Sequence, residues 1–372
     1  MRKLRILFLE PQPCIRALKY GNALKSYLGD NVSLCFAYTG MPLNALYGHG
    51  DESFDRMVKL NPKETDGGIR CLIDSFNPSL IHSHNAPNNL TLSAINVAKD
   101  VPIIHDVHEI LSIHNSGFKK EDNAETLKRY SAEERRANEE SDGRIYPTEG
   151  IAEYIQQHYK VNTENDLIFY NYPSESVMPR NFRKKISERD GEAHIVYIGC
   201  ITSVVEGSHY DLRNIFKDIA HHGMHIHIYP TKNIITQSNR SYKKIADAND
   251  FIHFHDNMNQ KELLEEITQY DFGWAGFNMS MNHEHLNVAL PNKVMEYIGC
   301  GLPVLAFSHK TIHSLIEKHE VGWLFNNLNE LDGLLKSDNL TNIKKNVLNV
   351  RHQLAIEGQI PRVVKFYKQI TG

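Results

Sequence analysis

The segment LPNKVMEYIGCGLPV, residues 290–304, combines residue types that could bind a phosphorylated ligand. Its spacing predicts a helix from Pro291 to Cys300, with proline at the first helical position, where a missing N–H costs nothing. The free N–H groups from Asn292 onward and the positive end of the helix dipole form an anion site, to which Lys293 adds a full charge. Glu296 lies one turn further on the same face, where a carboxylate can accept both hydroxyls of a ribose. The segment therefore predicts a site for the phosphates and ribose of a nucleotide.

A second group of chemically capable residues follows two apolar runs in the first half of the chain. The strings IHSHN at residues 81–85 and IHDVHE at residues 104–109 each end a run typical of a strand buried in a parallel sheet. Loops at the carboxyl ends of such strands converge, so these side chains are expected in one binding region. The candidates are His84, Asn85, His105, Asp106, His108 and Glu109.

Histidine is frequent, with 21 residues, which raises the question of a metal. Two pairs have i,i+2 spacing along predicted strands, His225 with His227 and His253 with His255. This spacing puts each pair on one face of a sheet and can suit zinc. No third ligand is evident in the sequence, so we expect packed or surface histidines there and no metal site.

The elements that must position these residues alternate between strand and helix. Buried strands of a first parallel sheet are predicted by apolar runs at residues 4–9, 32–38, 79–83 and 101–105. After a cationic stretch with two prolines at residues 172–191, a second cycle of strands and helices begins at His194. The pattern predicts an α/β protein with two Rossmann-like domains facing across a cleft, with ligands at the carboxyl ends of both sets of strands.

Composition and charge exclude several classes of protein. Hydrophobic residues make up 41% of the 372 residues and charged residues 23%, which excludes wholesale disorder. The net charge of −4 provides no field to attract a nucleic acid, so no such partner is expected. The five cysteines are scattered without a CxxC pair, and the apolar run at residues 6–9 stops at Glu10-Pro11, well short of a signal segment. We expect a cytoplasmic protein.

The string P-N-K-x-x-E-Y-x-x-x-G-x-P-V at residues 291–304 resembles the donor-site helix of retaining glycosyltransferases of the GT-B fold, the group-1 type with two Rossmann-like domains. Further strings occur in the order expected for that family, at residues 81–85, 104–109, 170–173, 197–199 and 270–273. The resemblance implies an acceptor domain at residues 1–172 and a nucleotide-sugar domain at residues 173–358. It also implies that a helix at residues 359–372 crosses back to the first domain.

The same resemblance implies roles for the candidate residues. In the donor site, Glu296 would bind the ribose, and Lys293, Asn292, Pro291 and Gly199 would surround the diphosphate. His108 or His105 would contact the transferring sugar, and His84, Asn85, Asp106 and Glu109 would bind sugar or acceptor. The family needs no metal or other cofactor, because helix N-termini and cations take the diphosphate charge. The acceptor would be a glycan, a lipid-linked molecule or a small molecule, and a lipid-linked acceptor would bring the protein to the inner membrane surface as a peripheral protein.

Two positions depart from the family's pattern. The family often has an acidic residue eight positions before the ribose-binding glutamate, but here that position is Val288, with Glu284 four places earlier. The loop after the first strand of the second domain usually carries Arg and Lys for the pyrophosphate, but Glu206 stands about where a lysine is expected. Two alternatives therefore remain open. One is a nucleotide-sugar epimerase of similar fold, with Asp106 and Glu109 as its acid/base pair, and the other is a degenerate donor-binding subunit without transferase activity.

Overall fold

A computed structural model describes residues 3–114, 124–231, 236–334 and 337–372 of the chain. The chain forms two compact units. Unit 1 consists of Met1–Asn171 together with Ile356–Gly372, and unit 2 is Tyr172–Ala355. Unit 2 is therefore inserted in sequence between two parts of unit 1. The sequence predicts boundaries after residues 172 and 358, close to these positions.

Unit 1 is built around a seven-stranded sheet in which all neighbouring strands are parallel. Its strands are β1 (Leu4–Glu10), β2 (Val32–Tyr38), β3 (Arg56–Lys59), β4 (Leu80–His84), β5 (Ile103–Asp106), β6 (Gly143–Tyr146) and β7 (Asp166–Ile168). Their spatial order is β3-β2-β1-β4-β5-β6-β7, so the chain changes its direction of winding between β1 and β4. Ligands of open α/β sheets bind at the carboxyl ends of strands at such a switch point.

Helices cover this sheet and complete its core. They are α1 (Ile15–Leu28), α2 (Leu43–Tyr47), α3 (Thr65–Phe76), α4 (Asn89–Val97), α5 (Leu111–His114), α6 (Ala124–Glu139), α7 (Glu149–His158) and α17 (Ile356–Thr371). On one face, Leu7 and Leu9 of β1 pack with Ile81 of β4 and with Ile69 and Leu72 of α3. Strands buried in this way need a continuous apolar sequence, and β1, β2 and β4 could therefore be predicted from their apolar runs.

Unit 2 repeats the plan with a six-stranded parallel sheet of order β10-β9-β8-β11-β12-β13. Its strands are β8 (His194–Gly199), β9 (His225–Pro230), β10 (Ile252–Phe254), β11 (Phe272–Trp274), β12 (Val304–Phe307) and β13 (Gly322–Phe325). Its helices are α8 (Ser187–Asp190), α9 (Arg213–His221), α10 (Thr236–Asp247), α11 (Gln260–Ile267), α12 (His283–Val288), α13 (Asn292–Gly299), α14 (Lys310–His319), α15 (Leu331–Leu334) and α16 (Leu340–Val350). The switch point lies between β8 and β11. The prediction of an α/β protein with two Rossmann-like sheets is confirmed.

The last helix, α17, belongs to unit 1. It buries Val363, Val364, Phe366 and Tyr367, and the ring of Phe366 lies so close to Gly143 of β6 that a Cβ at that glycine would stand 3.0 Å from it. Tyr367 reaches the sheet, where its hydroxyl lies 2.6 Å from Nδ1 of His82. The helix begins at Ile356 rather than at the predicted residue 359.

Several local predictions are wrong in detail. The stretch at residues 172–191, predicted as a linker or exposed excursion, packs on unit 2: Lys185 Nζ donates to the backbone oxygens of Thr268, at 2.9 Å, and of Tyr270, and Arg351 donates to Pro179 O at 2.6 Å. The sequence pattern at residues 209–221 indicates a helix, which begins only at Arg213. The charged, proline-free pattern at residues 122–140 indicates another helix, which is described from Ala124, and residues 122 and 123 lie outside the described ranges. Within those ranges, no helix has the length and apolar character needed to span a membrane.

Candidate functional site

Helix α13 carries the residues that the sequence singled out for a nucleotide. It begins at Asn292, and Pro291 precedes it as an extended capping residue (φ −63°, ψ 134°). Pro291 is therefore one position earlier than predicted, because its ψ is not helical. At the other end, Gly301 adopts φ +73°, in the left-handed region that glycine tolerates, and donates its N–H to Ile298 O at 3.0 Å.

Tyr297 fixes this helix to the sheet of unit 2. Its hydroxyl accepts the N–H of Ile198 at 3.0 Å and donates to the carbonyl of Trp274 at 3.1 Å, joining the ends of β8 and β11. The ring lies directly over Gly273, where a Cβ would stand 2.2 Å from it. Only glycine fits beneath the ring. The start of α13 is thereby held at the switch point of the sheet.

Lys293 is a buried cation at the start of α13. Its side chain is only 8% exposed, and Nζ lies 3.9 Å from the ring centroid of Tyr197 and 5.8 Å from that of Tyr210. Across the described ranges, no carboxylate lies within 4.0 Å of Nζ and no hydrogen bond satisfies it. Burial lowers the pKa of Lys293 to about 7, although the nearby Cys200 and Glu296 act in the opposite direction. An anion at this position would supply the missing partner.

Gly199 makes room for this lysine. It ends β8 with φ +128°, a conformation that side chains rarely adopt, and a Cβ there would stand 3.3 Å from Nζ of Lys293. Its carbonyl accepts the N–H of Thr231 at 3.1 Å, and the hydroxyl of Tyr197 donates to the carbonyl of Cys200. The loop after β8 is therefore held open beside the lysine by a residue without a side chain.

Glu296 lies one turn beyond Lys293 and is half-buried. Its Oε1 accepts one long hydrogen bond, from Gln260 Nε2 of α11 at 3.5 Å. Asn292 is exposed at the first position of the helix. The backbone N–H groups of the first turn, the ammonium of Lys293 and the carboxylate of Glu296 thus follow one another along a single helix, in the order of a phosphate and a ribose.

In unit 1 the switch point is occupied by a buried ion pair. Arg16 of α1 donates through Nε to both carboxylate oxygens of Asp106, at 3.1 Å each. Its Nη2 donates to Tyr20 OH at 3.1 Å and to the carbonyl of Phe169 at 2.9 Å, and its Nη1 donates to Asn171 Oδ1 at 2.5 Å. His82 Nε2 lies 3.1 Å from Asp106. Burial alone would raise the pKa of Asp106, but Arg16 and His82 hold it well below its usual range. Asp106 is therefore a permanent anion.

Two of the predicted histidines meet beside this pair. His84 Nδ1 lies 2.7 Å from His108 Nε2, and the two rings also lie 4.0 and 3.9 Å from the oxygens of Asp106. His84 is fully buried and its Nε2 has no partner. Burial lowers the pKa of His108 to about 4, so that both rings are neutral at physiological pH. Neutral imidazoles can both donate and accept hydrogen bonds to sugar hydroxyls.

The other unit 1 candidates are distributed differently. His105 points away from the group, because adjacent strand residues face opposite sides, and its Nδ1 lies 3.2 Å from Thr91 Oγ1. The side chain of Asn85 hydrogen-bonds to the backbone of the loop after β5. Its Oδ1 accepts the N–H of His108 at 2.6 Å, and its Nδ2 donates to Glu109 O at 2.7 Å. Asn85 thereby sets the loop that presents His108. Glu109 is half-exposed at the end of that loop.

Glu10, at the end of β1, completes the unit 1 group. It is 2% exposed, its Oε2 accepts the N–H of Cys14 at 3.1 Å, and burial raises its pKa to about 8. Two sets of side chains in the described part of the chain place metal-ligand atoms within 4.8 Å of one another. They are Glu10, His84 and His108, and His82, His84 and Asp106. The same atoms can serve equally as hydrogen-bonding partners of a polyhydroxylated ligand.

Comparison with known proteins addresses both units. Residues 50–171 match the family model "Glycosyltransferase Family 4", and residues 215–360 match "Glucosyltransferase 3-like, C-terminal domain". Both models describe glycosyltransferases, and together they match most of the chain, so the chain is assigned to the glycosyltransferases. Among curated proteins, none matches its sequence significantly.

Solved structures reproduce the fold of this glycosyltransferase over its whole length. Sucrose-phosphate synthase from Thermosynechococcus elongatus aligns with a TM-score of 0.70 at 11% identity, covering 99% of both chains. HepE from Anabaena, solved in complex with UDP-glucose, aligns with a TM-score of 0.65 at 13% identity, covering 99% of this chain and 98% of its own. A protein from Listeria monocytogenes described as a UDP-N-acetylglucosamine 2-epimerase aligns with a TM-score of 0.56 at 12% identity, covering 95% and 92%. At these identities the likeness establishes the fold.

The structure thus divides the predicted residues of the glycosyltransferase into two sets. Lys293, Gly199 and Glu296 adjoin the start of α13 in unit 2, with Pro291 and Asn292 at the helix end itself. In unit 1, His84, His108 and Asp106 form one group, whereas His105 lies on the other side of the strand.

Sequence reasoning missed Arg16, Glu10, His82 and Tyr367, whose roles depend on contacts made by the fold. The sequence contains a signal for Arg16 and another for Glu10. A glutamate ends the first apolar strand, and an arginine lies in the first turn of the helix that follows.

Proposed function

We propose that this glycosyltransferase moves a sugar from a nucleoside diphosphate sugar to an acceptor, with retention of anomeric configuration and without a metal. Unit 2 binds the donor, with the diphosphate at the start of α13 and the ribose on Glu296. Unit 1 supplies His108 and His84 to the sugar and holds the acceptor. The retaining outcome comes from the family resemblance, and UDP-glucose, which HepE binds in its structure, is the first donor to test.

The observation that carries this proposal is the unpaired burial of Lys293. Burying an ammonium without a counterion is costly, and natural proteins seldom do so unless the charge has a use. Here the ammonium lies beside a helix N-terminus and a glycine whose missing side chain leaves space next to Nζ. A diphosphate would pair with the charge, accept hydrogen bonds from the first turn of the helix and relieve the cost of burial.

The reaction requires two charges to be stabilised. The bond from the anomeric carbon to the diphosphate oxygen breaks, so that oxygen becomes anionic and the carbon becomes oxocarbenium-like. The bond to the acceptor oxygen forms, and the acceptor proton passes to the departing diphosphate. The helix start and Lys293 stabilise the leaving group, which is the task that a metal performs in other transferases. Neutral His108 orients the sugar through hydrogen bonds.

The acceptor in this proposal is a glycan, a lipid-linked molecule or a small molecule. A lipid-linked acceptor would bring the cytoplasmic protein to the inner surface of the membrane. Within the basic run at residues 180–185, Arg183 pairs with Glu266, Lys184 pairs with Glu188 at 3.7 Å, and Lys185 donates to backbone carbonyls. Arg180, Arg183 and Lys184 are exposed, but two of these three cations are already paired, which favours a weak surface contact rather than stable anchoring.

An epimerase of the same fold needs a cleft carboxyl group that can give up and regain a proton. Asp106 is held ionised by Arg16 and His82, which argues against it as that acid. Glu10, with its raised pKa, is the carboxyl group that would suit the role, and it keeps this alternative testable. The alternative of a donor-binding subunit without activity rests on Val288 and Glu206, which replace the expected acidic and basic residues.

The test uses Lys293→Met, which keeps the length of the side chain and removes its charge. We expect donor affinity, measured by calorimetry with UDP-glucose and a panel of other nucleotide sugars, to fall at least tenfold, since a charged hydrogen bond is worth about 1.5 to 3 kcal/mol. Thermal stability should stay the same or rise, because a buried unpaired charge is removed.

The matched control is Lys261→Met. Lys261 is also the second residue of an eight-residue helix in unit 2, α11, but it is exposed. It should leave donor affinity unchanged. Equal affinities for wild type and Lys293→Met would remove the main support for the donor site. Products separate the alternatives: an epimerised nucleotide sugar without acceptor indicates the epimerase, free nucleotide plus a glycosylated acceptor indicates the transferase, and donor binding without either product indicates the inactive subunit.

A further inference from the structure

Five histidines of unit 2 lie together on one face of its sheet, and none of them is among the predicted donor residues. The histidine ladder consists of His194 on β8, His225 and His227 on β9, and His253 and His255 at β10. In register, His194 is opposite His225, and His253 is opposite His227. The alternate residues Ile195, Ile226 and Ile252 face the opposite side and join the apolar core. The sequence suggested two separate pairs; the fold adds His194 and makes them one group.

The ladder rings are joined by stacking and by hydrogen bonds. The opposite rings stack, with centroids 4.5 Å apart for His194 and His225 and 4.3 Å apart for His227 and His253. Hydrogen bonds run diagonally between strands and form two chains, each of which starts at a carboxylate. The first chain is Asp190–His194–His227–His255, with distances of 3.1, 2.9 and 3.0 Å, and the second is Glu192–His225–His253, with distances of 2.5 and 2.9 Å.

The carboxylates determine where every proton of the ladder lies. An ionised carboxylate only accepts, so Nε2 of His194 must carry hydrogen and donate it to Asp190. Nδ1 of His194 is then an acceptor, which requires hydrogen on Nε2 of His227, and the same reasoning passes to His255. In the second chain it fixes hydrogen on Nε2 of His225 and His253. In the neutral ladder each ring is therefore an Nε2–H tautomer, and each chain ends in the Nδ1 lone pair of a β10 histidine.

This arrangement limits how many protons the ladder can bind. One added proton at the open end of a chain breaks no hydrogen bond, because it can sit on any ring of that chain once the other hydrogens shift along. A second proton in the same chain forces two N–H groups to face each other, so a hydrogen bond is lost. The folded ladder therefore takes two protons at most, one for each chain, whereas five separated histidines take five below their ordinary pKa of about 6.5.

The surroundings of the ladder also oppose protonation of its rings. His194 and His227 are 3% and 6% exposed, and the ring of Tyr270 covers His227 at 4.3 Å. Burial and the neighbouring imidazoles lower the pKa of His253 to about 4 and lower that of His227 further. The acidic groups that favour protonation lie around the rim and before the strands: Asp190, Glu192, Asp250, Asp256, Glu266 and Asp271. None of them adjoins the central ring, His227, among its described neighbours.

We propose that the histidine ladder is an acid-triggered switch that holds strands β8, β9 and β10 together with residues 190–192 at neutral pH and releases them when more than one proton enters a chain. The release is cooperative because the second proton in a chain must break a hydrogen bond, and because charges on opposite rings would stand less than 5 Å apart. This inference does not depend on the proposed transferase activity, because none of the five histidines is a donor-binding residue, although Gly199 of the donor site ends strand β8.

The first measurement is the tautomeric state of the ladder in the full-length protein. Long-range 15N–1H correlation spectra of the histidine rings at pH 7.5 should show all five ladder histidines as neutral Nε2–H tautomers. An Nδ1–H tautomer at any of them, or an independent titration of the rings near pH 6.5, would contradict the proposal. This readout requires no substitution.

The second measurement is hydrogen exchange of the peptides that contain β8, β9 and β10, corrected for intrinsic rates, between pH 7.5 and 5. The opening constant is the equilibrium constant for local unfolding of these strands. Each additional proton taken up on unfolding changes this constant about tenfold per pH unit. Because opening exposes three sites that the folded ladder cannot protonate, the opening constant should rise more than a hundredfold per pH unit between about pH 6 and 5. A rise of tenfold or less overturns the switch.

The variant is His253→Phe, which keeps an aromatic ring for stacking on His227 and removes one proton site. We expect its opening constant to change about tenfold less steeply with pH than that of the wild type. The control is His313→Phe, on the exposed side of α14 in the same unit, where the native ring pairs only with Glu317 at 3.2 Å. It should keep the wild-type slope. Equal slopes for His253→Phe and wild type would show that the ladder does not set the response.

Discussion

Each unit buries a cation close to the switch point of its sheet, and the two cations have opposite surroundings: one is paired with an anion and the other is not. Arg16 of unit 1 meets Asp106, Tyr20 OH and the carbonyl of Phe169, and Asp106 raises its pKa above the ordinary value even though burial acts against the charge. Lys293 of unit 2 lies against the rings of Tyr197 and Tyr210, with no carboxylate within 4.0 Å of Nζ in the described part of the chain, and burial lowers its pKa to about 7.

The difference separates a cation that serves the fold from one that serves a ligand. The guanidinium of Arg16 donates its hydrogen bonds to groups of its own unit, and it keeps Asp106 ionised next to the histidines. The charge of Lys293 is left without a partner at a helix N-terminus. Removal of Arg16 should therefore damage stability, whereas removal of Lys293 should damage binding. Three further experiments test this contrast.

The largest effect is expected for Arg16→Leu. The substitution leaves the carboxylate of Asp106 buried with no cation, and breaking a buried pair in this way costs about 3 to 5 kcal/mol. The free energy of unfolding of unit 1, measured by urea-dependent hydrogen exchange in β1 and β5, should fall by that amount. A second substitution, Asp106→Asn, should restore part of the loss, because it removes the orphaned charge.

The control for this experiment is Arg136→Leu. Arg136 is half-exposed on α6, pairs with Glu140 at 2.9 Å and donates to Asn96 Oδ1 at 2.8 Å, and solvent-accessible contacts of this kind contribute only about 1 kcal/mol or less. If Arg16→Leu were no more harmful than Arg136→Leu, the assignment of Arg16 to the fold would be wrong.

A smaller effect, on binding alone, is expected for Glu296→Gln. The amide keeps one acceptor for the ribose but loses the charge-assisted hydrogen bonds, so donor affinity should fall at least tenfold, or about 1.4 kcal/mol. Stability should scarcely change, since the only hydrogen bond of this carboxylate within the described structure is the 3.5 Å one from Gln260.

A donor lacking the ribose 2′-hydroxyl sharpens this result. Wild type should bind it poorly, and Glu296→Gln should discriminate much less between the two donors. Glu265→Gln, at an exposed position of α11, is the matched control and should behave as wild type. Loss of folding in Glu296→Gln, with unchanged affinity in the folded fraction, would make Glu296 a structural residue.

The smallest effect is the pH dependence of donor binding. With its pKa near 7, Lys293 is mostly an ammonium below that pH and mostly a neutral amine above it. Donor affinity should therefore fall as pH rises, by about tenfold at most between pH 6 and 8. The trend should vanish in Lys293→Met and persist in Lys261→Met. Affinity that rises with pH would mean that another group controls the site.

The parts of this fold that could be predicted from sequence are the elements whose pattern lies within one continuous segment of the chain. The string at residues 291–304 predicts α13, and Asn259 caps α11 through the N–H of Glu262, as its spacing indicates. The strands β3, β7 and β13 were missed. All three lie at sheet edges. β3 and β7 are only partly buried and lack the continuous apolar run that identifies a central strand, whereas β13 has a short apolar run at residues 323–325 in which only Phe325 is fully buried.

The candidate site was less predictable because its partners are distant in sequence. Arg16 and Asp106 are 90 residues apart, and His82 and Tyr367 are 285 apart. The fit of the Tyr297 ring over Gly273 depends on a missing side chain, which no local pattern reveals. The sequence could suggest that His105 or His108 meets the ligand, but only the alternation of side chains along β5 and the bend after it separate the two.

The place of Tyr367 on α17 has a consequence for how the protein is made. Its hydroxyl meets His82 inside unit 1, yet α17 leaves the ribosome only after all of unit 2 has been synthesised. At about 5 to 20 residues per second, the earlier part of unit 1 must wait roughly ten to forty seconds for its final helix. During that interval the surface of α1 that α17 later covers is open to water. The nascent chain should be a client of ribosome-associated chaperones at this stage, and unit 2 should reach its native state before unit 1 does.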